Sequence, residues 1–290
     1  MTITANSYFS GAGLMDEGLR RSGVQVQISY ELDADACRVA AANGHNVEQC
    51  DLTKKLIAEM PDSDVDAFTY PCTKYSTIGD IHGVRTGDEL YLHALRRMAL
   101  RPPEVYVIEN VPGMKKFPVV MEAMTKLPDY YVNVFCPVKS QTWLPQKRDR
   151  VIIIGSRRSF QWREPQAEHQ TRLADILEPE PQIEIPAYFY KRLEGKYRDK
   201  PIISDPARDD IAPTCVAHYA KDVSTRVVVD SRFPHGVRPY TVREYARLQG
   251  LPDSYSFDGV TDREAYRMIG NGVSVPVGEW IGSELQRYFN

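Results

Sequence analysis

Phe9-Ser10-Gly11-Ala12-Gly13-Leu14 decides the fold. The stretch follows a short expected strand and opens an expected helix, Met15 to Arg21. Its glycines let the backbone turn tightly and let a ligand approach the main chain. Just beyond, Val24, Val26, Ile28 and Tyr30 alternate with polar residues, the period of a strand. The pattern repeats outward. Further strands are expected from Asp64 to Tyr70, Glu104 to Ile108, Tyr131 to Val138 and Val151 to Gly155. Helices are expected from Asp33 to Asn43 and from Leu90 to Arg101, the second stopped by Pro102-Pro103. Strands separated by helices form βαβ units around a largely parallel sheet, the α/β class.

From Ser156 to Val237 this alternation stops. Prolines cluster and no period holds, which indicates a smaller domain of loops and short strands. Order returns near the C-terminus. A helix is expected from Asp262 to Ile269, then a glycine-rich turn at Gly270-Asn271-Gly272, then a helix from Val277 to Phe289.

Composition narrows the function classes. With 42% hydrophobic and 26% charged residues, the 290-residue chain is neither disordered, collagen-like nor a coiled coil. The most apolar uninterrupted run, Val151 to Ile154, is far short of the roughly 20 residues that span a bilayer. Residues 1–9 lack the charge and apolar core of a signal peptide. Five cysteines without a C-x-x-C pair argue against a disulfide framework or a zinc site, and point to a reducing cytoplasm. The net charge of −3 hides an excess of five basic groups between Lys139 and Gly250. That excess suits either a polyanion partner or a solvated face.

Several residues stand where α/β proteins place chemistry, at strand C-termini. Glu31, twenty residues after Gly11, is positioned to accept hydrogen bonds from a ribose, and Asp51 to hold an adenine amino group. A third fingerprint glycine is absent, so a single adenosine fits better than a dinucleotide; an ordinary strand-end turn is the alternative. Cys72 follows Tyr70-Pro71 and is either a nucleophile or a buried structural thiol. The glycine-containing segment Thr73 to Asp88 has the makeup of a closing loop. Glu109 ends an apolar strand as an acid-base candidate or a cap. Arg148 and Arg150 share one face if extended, and either forks onto an acceptor or pairs with Asp149 or Glu109.

In order along the chain, these motifs resemble those of the cytosine C5 DNA methyltransferases of prokaryotic or phage type. Phe9 to Leu14 is similar to the family's cofactor turn, Glu31-Leu32-Asp33 to its ribose clamp and Pro71-Cys72 to its nucleophile motif. Glu109-Asn110-Val111 matches its catalytic glutamate motif, and Pro145 to Arg150 its P-Q-x-R-x-R motif. Arg238 to Pro252 and Ile269 to Val273 resemble its last two motifs. The flank Thr69-Tyr70-Pro71-Cys72-Thr73 departs from the usual Gly-Pro-Pro-Cys-Gln, and Gly272 and Ser274 depart from the usual final motif.

The resemblance implies a Rossmann-like S-adenosylmethionine-dependent methyltransferase sheet with a smaller target-recognition domain. The implied domains are 1–155 for catalysis and cofactor, 156–250 for target recognition, and 251–290 returning to the catalytic domain. It implies catalysis by Cys72, Glu109, Arg148 and Arg150. S-adenosyl-L-methionine would be held by Phe9, Gly11, Ala12, Gly13, Leu14, Glu31, Leu32, Asp51, Pro71, Asn271 and Val273. The substrate would be double-stranded DNA with a cytosine flipped out, met by a monomer in the cytoplasm or at the nucleoid, without metal or membrane. A tRNA cytosine-5 methyltransferase and a catalytically weak DNA-binding relative are the alternatives.

Overall fold

The computed structural model describes residues 2–71, 90–167 and 169–290. Cys72 and the segment Thr73 to Asp88 lie outside the described residues. The chain divides into two compact units. The first comprises Met1–Val138, Asp149–Pro165 and Val277–Asn290; the second comprises Lys139–Arg148 and Gln166–Pro276.

The first unit holds a seven-stranded sheet: β1 (Thr4–Tyr8), β2 (Gln25–Glu31), β3 (Val47–Gln49), β4 (Val65–Phe68), β5 (Val105–Asn110), β6 (Tyr131–Lys139) and β7 (Asp149–Ser156). Their order across the sheet is β3-β2-β1-β4-β5-β7-β6. The β1–β2, β1–β4, β2–β3 and β4–β5 pairs are parallel, whereas β7 runs antiparallel to β5. Val105 to Ile108 and Val151 to Ile154 are fully buried, as expected of central strands covered on both faces. Each such side chain contributes about 1.5–3 kcal/mol by leaving water.

Asp66 interrupts the apolar β4 yet is wholly buried. It accepts from Arg97 Nε at 2.8 Å, Ser63 Oγ at 2.8 Å and Tyr8 Oη at 3.2 Å. Arg97, on the helix Tyr91–Leu100, also donates to the Pro61 carbonyl. The strand tolerates a carboxylate because its lone pairs are satisfied.

In the second unit a small sheet joins β8 (Ile202–Ser204), β9 (Arg226–Val229) and β10 (Val237–Pro239) in the order β10-β9-β8. Its core is aromatic. Tyr219 stacks on Tyr245 at 4.8 Å, and Tyr266 meets both edge-on. Phe189 is fully buried, while Tyr188 and Tyr190 are half-buried. The expected glycine turn after Ile269 is instead helix: Asp262–Asn271 runs through Gly270 and ends on Gly272. Gly270 serves close packing, since a Cβ there would lie 2.4 Å from the Val216–Ala217 backbone.

Arg238 anchors this unit. It is fully buried, with Nη1 and Nη2 each 2.7 Å from a Glu244 carboxylate oxygen and Nε 2.7 Å from Asp230. Glu244 also completes a capping box with Thr241 at the start of helix Val242–Leu248. Hydrogen bonds from Arg232 and Arg238 hold the Asp230 carboxyl well below the usual carboxylate range. A depressed carboxyl stabilises the fold above its unfolded value, near 4, and that contribution fades as pH falls below it. Asp230→Asn is therefore expected to lower unfolding stability at pH 7, with a gap to wild type that narrows on acidification below about pH 4. Denaturant titrations at about pH 7 and pH 3 check this; a gap that widens in acid contradicts it.

Candidate active site

Three pieces of the first unit meet at the C-terminal ends of β1, β2, β4 and β5. The first is the glycine turn. Phe9, Gly11 and Gly13 adopt φ of 61°, 57° and 78°, the left-handed region. For Phe9 this is a strained conformation of the sort that collects at ligand-binding turns. The turn is tied down by Ser10 N donating to the Tyr30 carbonyl at 3.1 Å and Gly13 N to the Ser10 carbonyl at 3.0 Å. A Cβ on Gly11 would meet nothing within 4 Å, so open space adjoins this backbone. Ala12 and Leu14 are buried and Leu14 packs in the core.

The second piece is Glu31. Its Oε2 accepts from Gly11 N at 2.8 Å, and its Oε1 from Leu32 N and Asp33 N, both at 2.8 Å. Asp33 then caps the helix Ala34–Ala42 through Ala36 N. Three of roughly four lone-pair sites on the Glu31 carboxylate are thus used by backbone, leaving a place on Oε2 for a ribose hydroxyl. Leu32 is 64% exposed and offers apolar surface next to it. Asp51 follows β3 and accepts from Thr53 N and Thr53 Oγ1 at 3.0 and 2.6 Å. These bonds, with Lys54 close by, hold its carboxyl down to about 2, so it is an ionised acceptor at neutral pH. These groups fit an adenosine: an acceptor for the ribose, an acceptor for the amino group and the apolar Leu32 beside Glu31.

The third piece surrounds Glu109. Glu109 lies opposite Ile152 and Asn110 opposite Val151 in the β5–β7 register. Because β7 is antiparallel, its first residues lie at the end of β5. Arg150 Nε reaches Glu109 Oε1 at 2.7 Å, with both side chains largely buried. Of the two partners open to the arginines, Arg150 therefore takes Glu109; its Nη1 also donates to the Asp149 carbonyl. Asn110, buried, donates from Nδ2 to the Tyr70 carbonyl at 3.1 Å and accepts from Val111 N at 2.9 Å. Sequence reading missed this role for the asparagine, although its place beside Glu109 was the available signal.

The unusual Thr69-Tyr70 flank has a physical explanation. Thr69 Oγ1 donates to the Phe9 carbonyl at 2.9 Å, Thr69 N donates to the Tyr8 carbonyl, and the Phe9 and Tyr70 rings meet edge-on at 6.3 Å. These two residues stitch the glycine turn to the chain that leads to exposed Pro71.

In the second unit, Arg148 is fully buried and donates to the Cys215, Gly270 and Gly272 carbonyls at 3.0, 3.1 and 2.6 Å. It braces the helix end that carries exposed Asn271, with buried Val273 just beyond. Gln249 adds bonds to the Ile269 and Gly272 carbonyls.

The four described cysteines are poor nucleophiles. Burial pushes the thiols of Cys37 and Cys50 up to about 11 and that of Cys215 to about 12, and raises that of Cys136. Among the described residues no cluster of His, Cys, Asp and Glu is gathered to hold a metal ion. Nor is any described helix long and apolar enough to cross a membrane.

The family model for C-5 cytosine-specific DNA methylase matches residues 3–287. The chain belongs to that family. The type II methyltransferase M.NlaX of Neisseria lactamica is 28% identical over 299 residues, which cover 96% of this methylase and 94% of the relative. M.HpaII of Haemophilus parainfluenzae is 26% identical over 321 residues, 96% of this chain and 87% of the relative. In fold the methylase is similar to S. pombe Dnmt2 methyltransferase, with a TM-score of 0.82, 19% identity and complete coverage of both chains. It is similar too to Entamoeba histolytica EhMeth, with a TM-score of 0.83, 18% identity and coverage of 100% and 99%. The Rossmann-like methyltransferase sheet is thus established, and the activity is methylation of cytosine C5 in DNA.

Asn110→Asp keeps the acceptor for Val111 N but cannot donate to the Tyr70 carbonyl. An unfolding stability lowered by about 1–3 kcal/mol is expected. Chemical denaturation measures it, and an unchanged midpoint would show that the Tyr70 bond does not anchor this edge.

Proposed function

We propose that this methylase flips a cytosine out of duplex DNA and methylates its C5 with S-adenosylmethionine, using Cys72 as nucleophile. The observation that carries the reading is the Asn110 bond to the Tyr70 carbonyl. It holds the residue before Pro71-Cys72 at the same strand ends as the Glu109–Arg150 pair.

Cytosine C5 is a weak nucleophile. A Cys72 thiolate adding to C6 forms a sulfur–carbon bond and turns the ring into an enamine rich in density at C5. Glu109 gives N3 a proton or a strong hydrogen bond as that density moves. Arg150, held by Glu109, turns the rest of its guanidinium fork toward O2 and offsets the developing charge. When bound, S-adenosylmethionine supplies an electrophilic methyl on a sulfonium. That methyl would pass to C5 and leave a neutral thioether; a base removes the C5 proton, the electron pair expels the Cys72 thiolate, and a proton lent to N3 returns to Glu109. Glu31 and Asp51 bind the adenosine and the Phe9–Gly13 turn orients it, with Leu32 and Pro71 lining it. Arg148 takes a supporting part, bracing the Gly270 and Gly272 carbonyls on either side of Asn271.

A target base inside a duplex is out of reach, so flipping is required. The second unit reads the DNA. Lys191, Lys196, Arg198 and Lys200 are exposed and suited to phosphates. Arg192 is committed inside the unit, to Asp222 and the Tyr188 ring.

Duplex DNA carrying 5-fluorocytosine tests the mechanism, because fluorine at C5 cannot leave as a proton. A denaturation-resistant protein–DNA adduct is expected only with S-adenosylmethionine present. Cys72→Ser should abolish it, and Ser at Cys37, Cys50, Cys136 or Cys215 should leave it intact. An adduct mapped to another cysteine, or one formed on tRNA but not DNA, overturns the reading.

A further inference from the structure

His45 belongs to none of the motifs above, yet it lies beneath the glycine turn. Its imidazole is 2% exposed. A Cβ built on Gly13 would lie 3.0 Å from His45 Cδ2, 3.2 Å from Nε2 and 3.3 Å from Cγ. The ring is therefore packed directly against the Gly13 backbone, so close that a side chain at that position would have to push it back by a few tenths of an ångström.

The ring is held from two sides. On one, the helix Leu14–Arg21 begins at Gly13 and carries Asp16 and Glu17 in its buried first turn. Glu17 Oε2 stands 3.9 Å from His45 Nε2, and Glu17 is itself paired with Arg20 and Arg21. Asp16 accepts from Ser29 Oγ of β2 at 2.7 Å and faces the imidazole electrostatically, as does Arg20. On the other side, His45 N donates to the Ala40 carbonyl at 3.1 Å, and Arg20 Nη1 reaches the Asn43 carbonyl at 3.4 Å. These bonds root the ring in the helix Ala34–Ala42, whose N-terminus is capped by Asp33, two residues after Glu31.

His45 thus packs beneath the Gly13 end of the Phe9–Gly13 turn, and its backbone is tied to the C-terminal end of the helix that begins after the Glu31–Asp33 corner. We propose that His45 is a positioning residue for the cofactor: its imidazole wedges the glycine turn at Gly13, two residues after the Gly11 N that Glu31 holds. This rests on the reading of the turn as the S-adenosylmethionine site. It adds a reason for glycine at position 13 beyond its left-handed φ, namely that a methyl there would press on the ring.

The test is a double-mutant cycle read by calorimetry with S-adenosylmethionine, on the full chain, alongside steady-state kinetics. Gly13→Ala meets both the left-handed backbone cost and the ring, and about a fivefold or greater loss of affinity is expected. His45→Ala removes the wedge and should raise KM for the cofactor about fivefold or more with kcat nearly unchanged, the pattern of lost positioning. In the double variant the methyl added at position 13 enters the space vacated by the ring. Its loss should then be at least about threefold smaller than the product of the single losses, since contacting residues couple. If His45→Ala does not fold, His45→Asn, which keeps a planar polar group, takes its place in the cycle. Losses that simply multiply, or a His45 variant with unchanged KM, overturn the proposal. Wild-type protein that does not bind S-adenosylmethionine overturns the reading of the turn instead.

Discussion

The Glu109–Arg150 contact is the interaction around which the catalytic edge is arranged. Burying a carboxylate or a guanidinium alone is costly, and together they are tolerated when the geometry is good. That geometry comes from strand direction. A parallel β7 would deliver its first residues to the far edge of the sheet. Running antiparallel to β5, it places Arg150 beside Glu109 with no loop to position it. Asn110, next in β5, then spends its amide on the Tyr70 carbonyl, so one strand end fixes both Glu109 and the chain leading to Pro71.

Much of this was legible because it depends on local pattern. The unbroken run Val151 to Ile154 marked a strand whose burial matches its reading, and alternating Val24, Val26, Ile28 and Tyr30 marked a strand that forms, although its polar Ser29 is buried as well. Glycines marked the turn, because Gly11 and Gly13 do adopt left-handed backbone. What escaped was long-range. Periodicity carries no strand direction, so the reversal of β7 was invisible, and with it which arginine meets Glu109. Arg148 and Arg150 look equivalent in sequence, yet one lies among carbonyls and the other against a carboxylate. Gly270 reads as a turn because a glycine that lets backbones touch has the same letter as one that bends the chain. Asp66 in β4 and His45 after the second helix gave no signal, since their partners lie 31 residues away in Arg97 and at Gly13.

The glycine turn illustrates how strain is tolerated. Phe9 is held at positive φ by what surrounds it: Thr69 on its carbonyl, Tyr70 on its ring, and Tyr30 accepting from its neighbour Ser10. A turn shaped by the scaffold before any ligand arrives loses less freedom on binding. The departures at Thr69 and Tyr70 belong to that scaffold.

The last helix, Val275–Phe289, bears on how the molecule is made. Gly278 and Gly282 let it lie against the helix that starts at Gly13; a Cβ on Gly278 would sit 2.7 Å from the Met15 carbonyl, and one on Gly282 would strike Ser22. A ribosome delivers the glycine turn long before the helix that backs it, with the whole second unit synthesised in between. The helix behind the turn therefore stays uncovered until Val275–Phe289 emerges. A nascent chain, or one truncated before Val275, would have its sheet strands in hand while the support behind the turn was still missing.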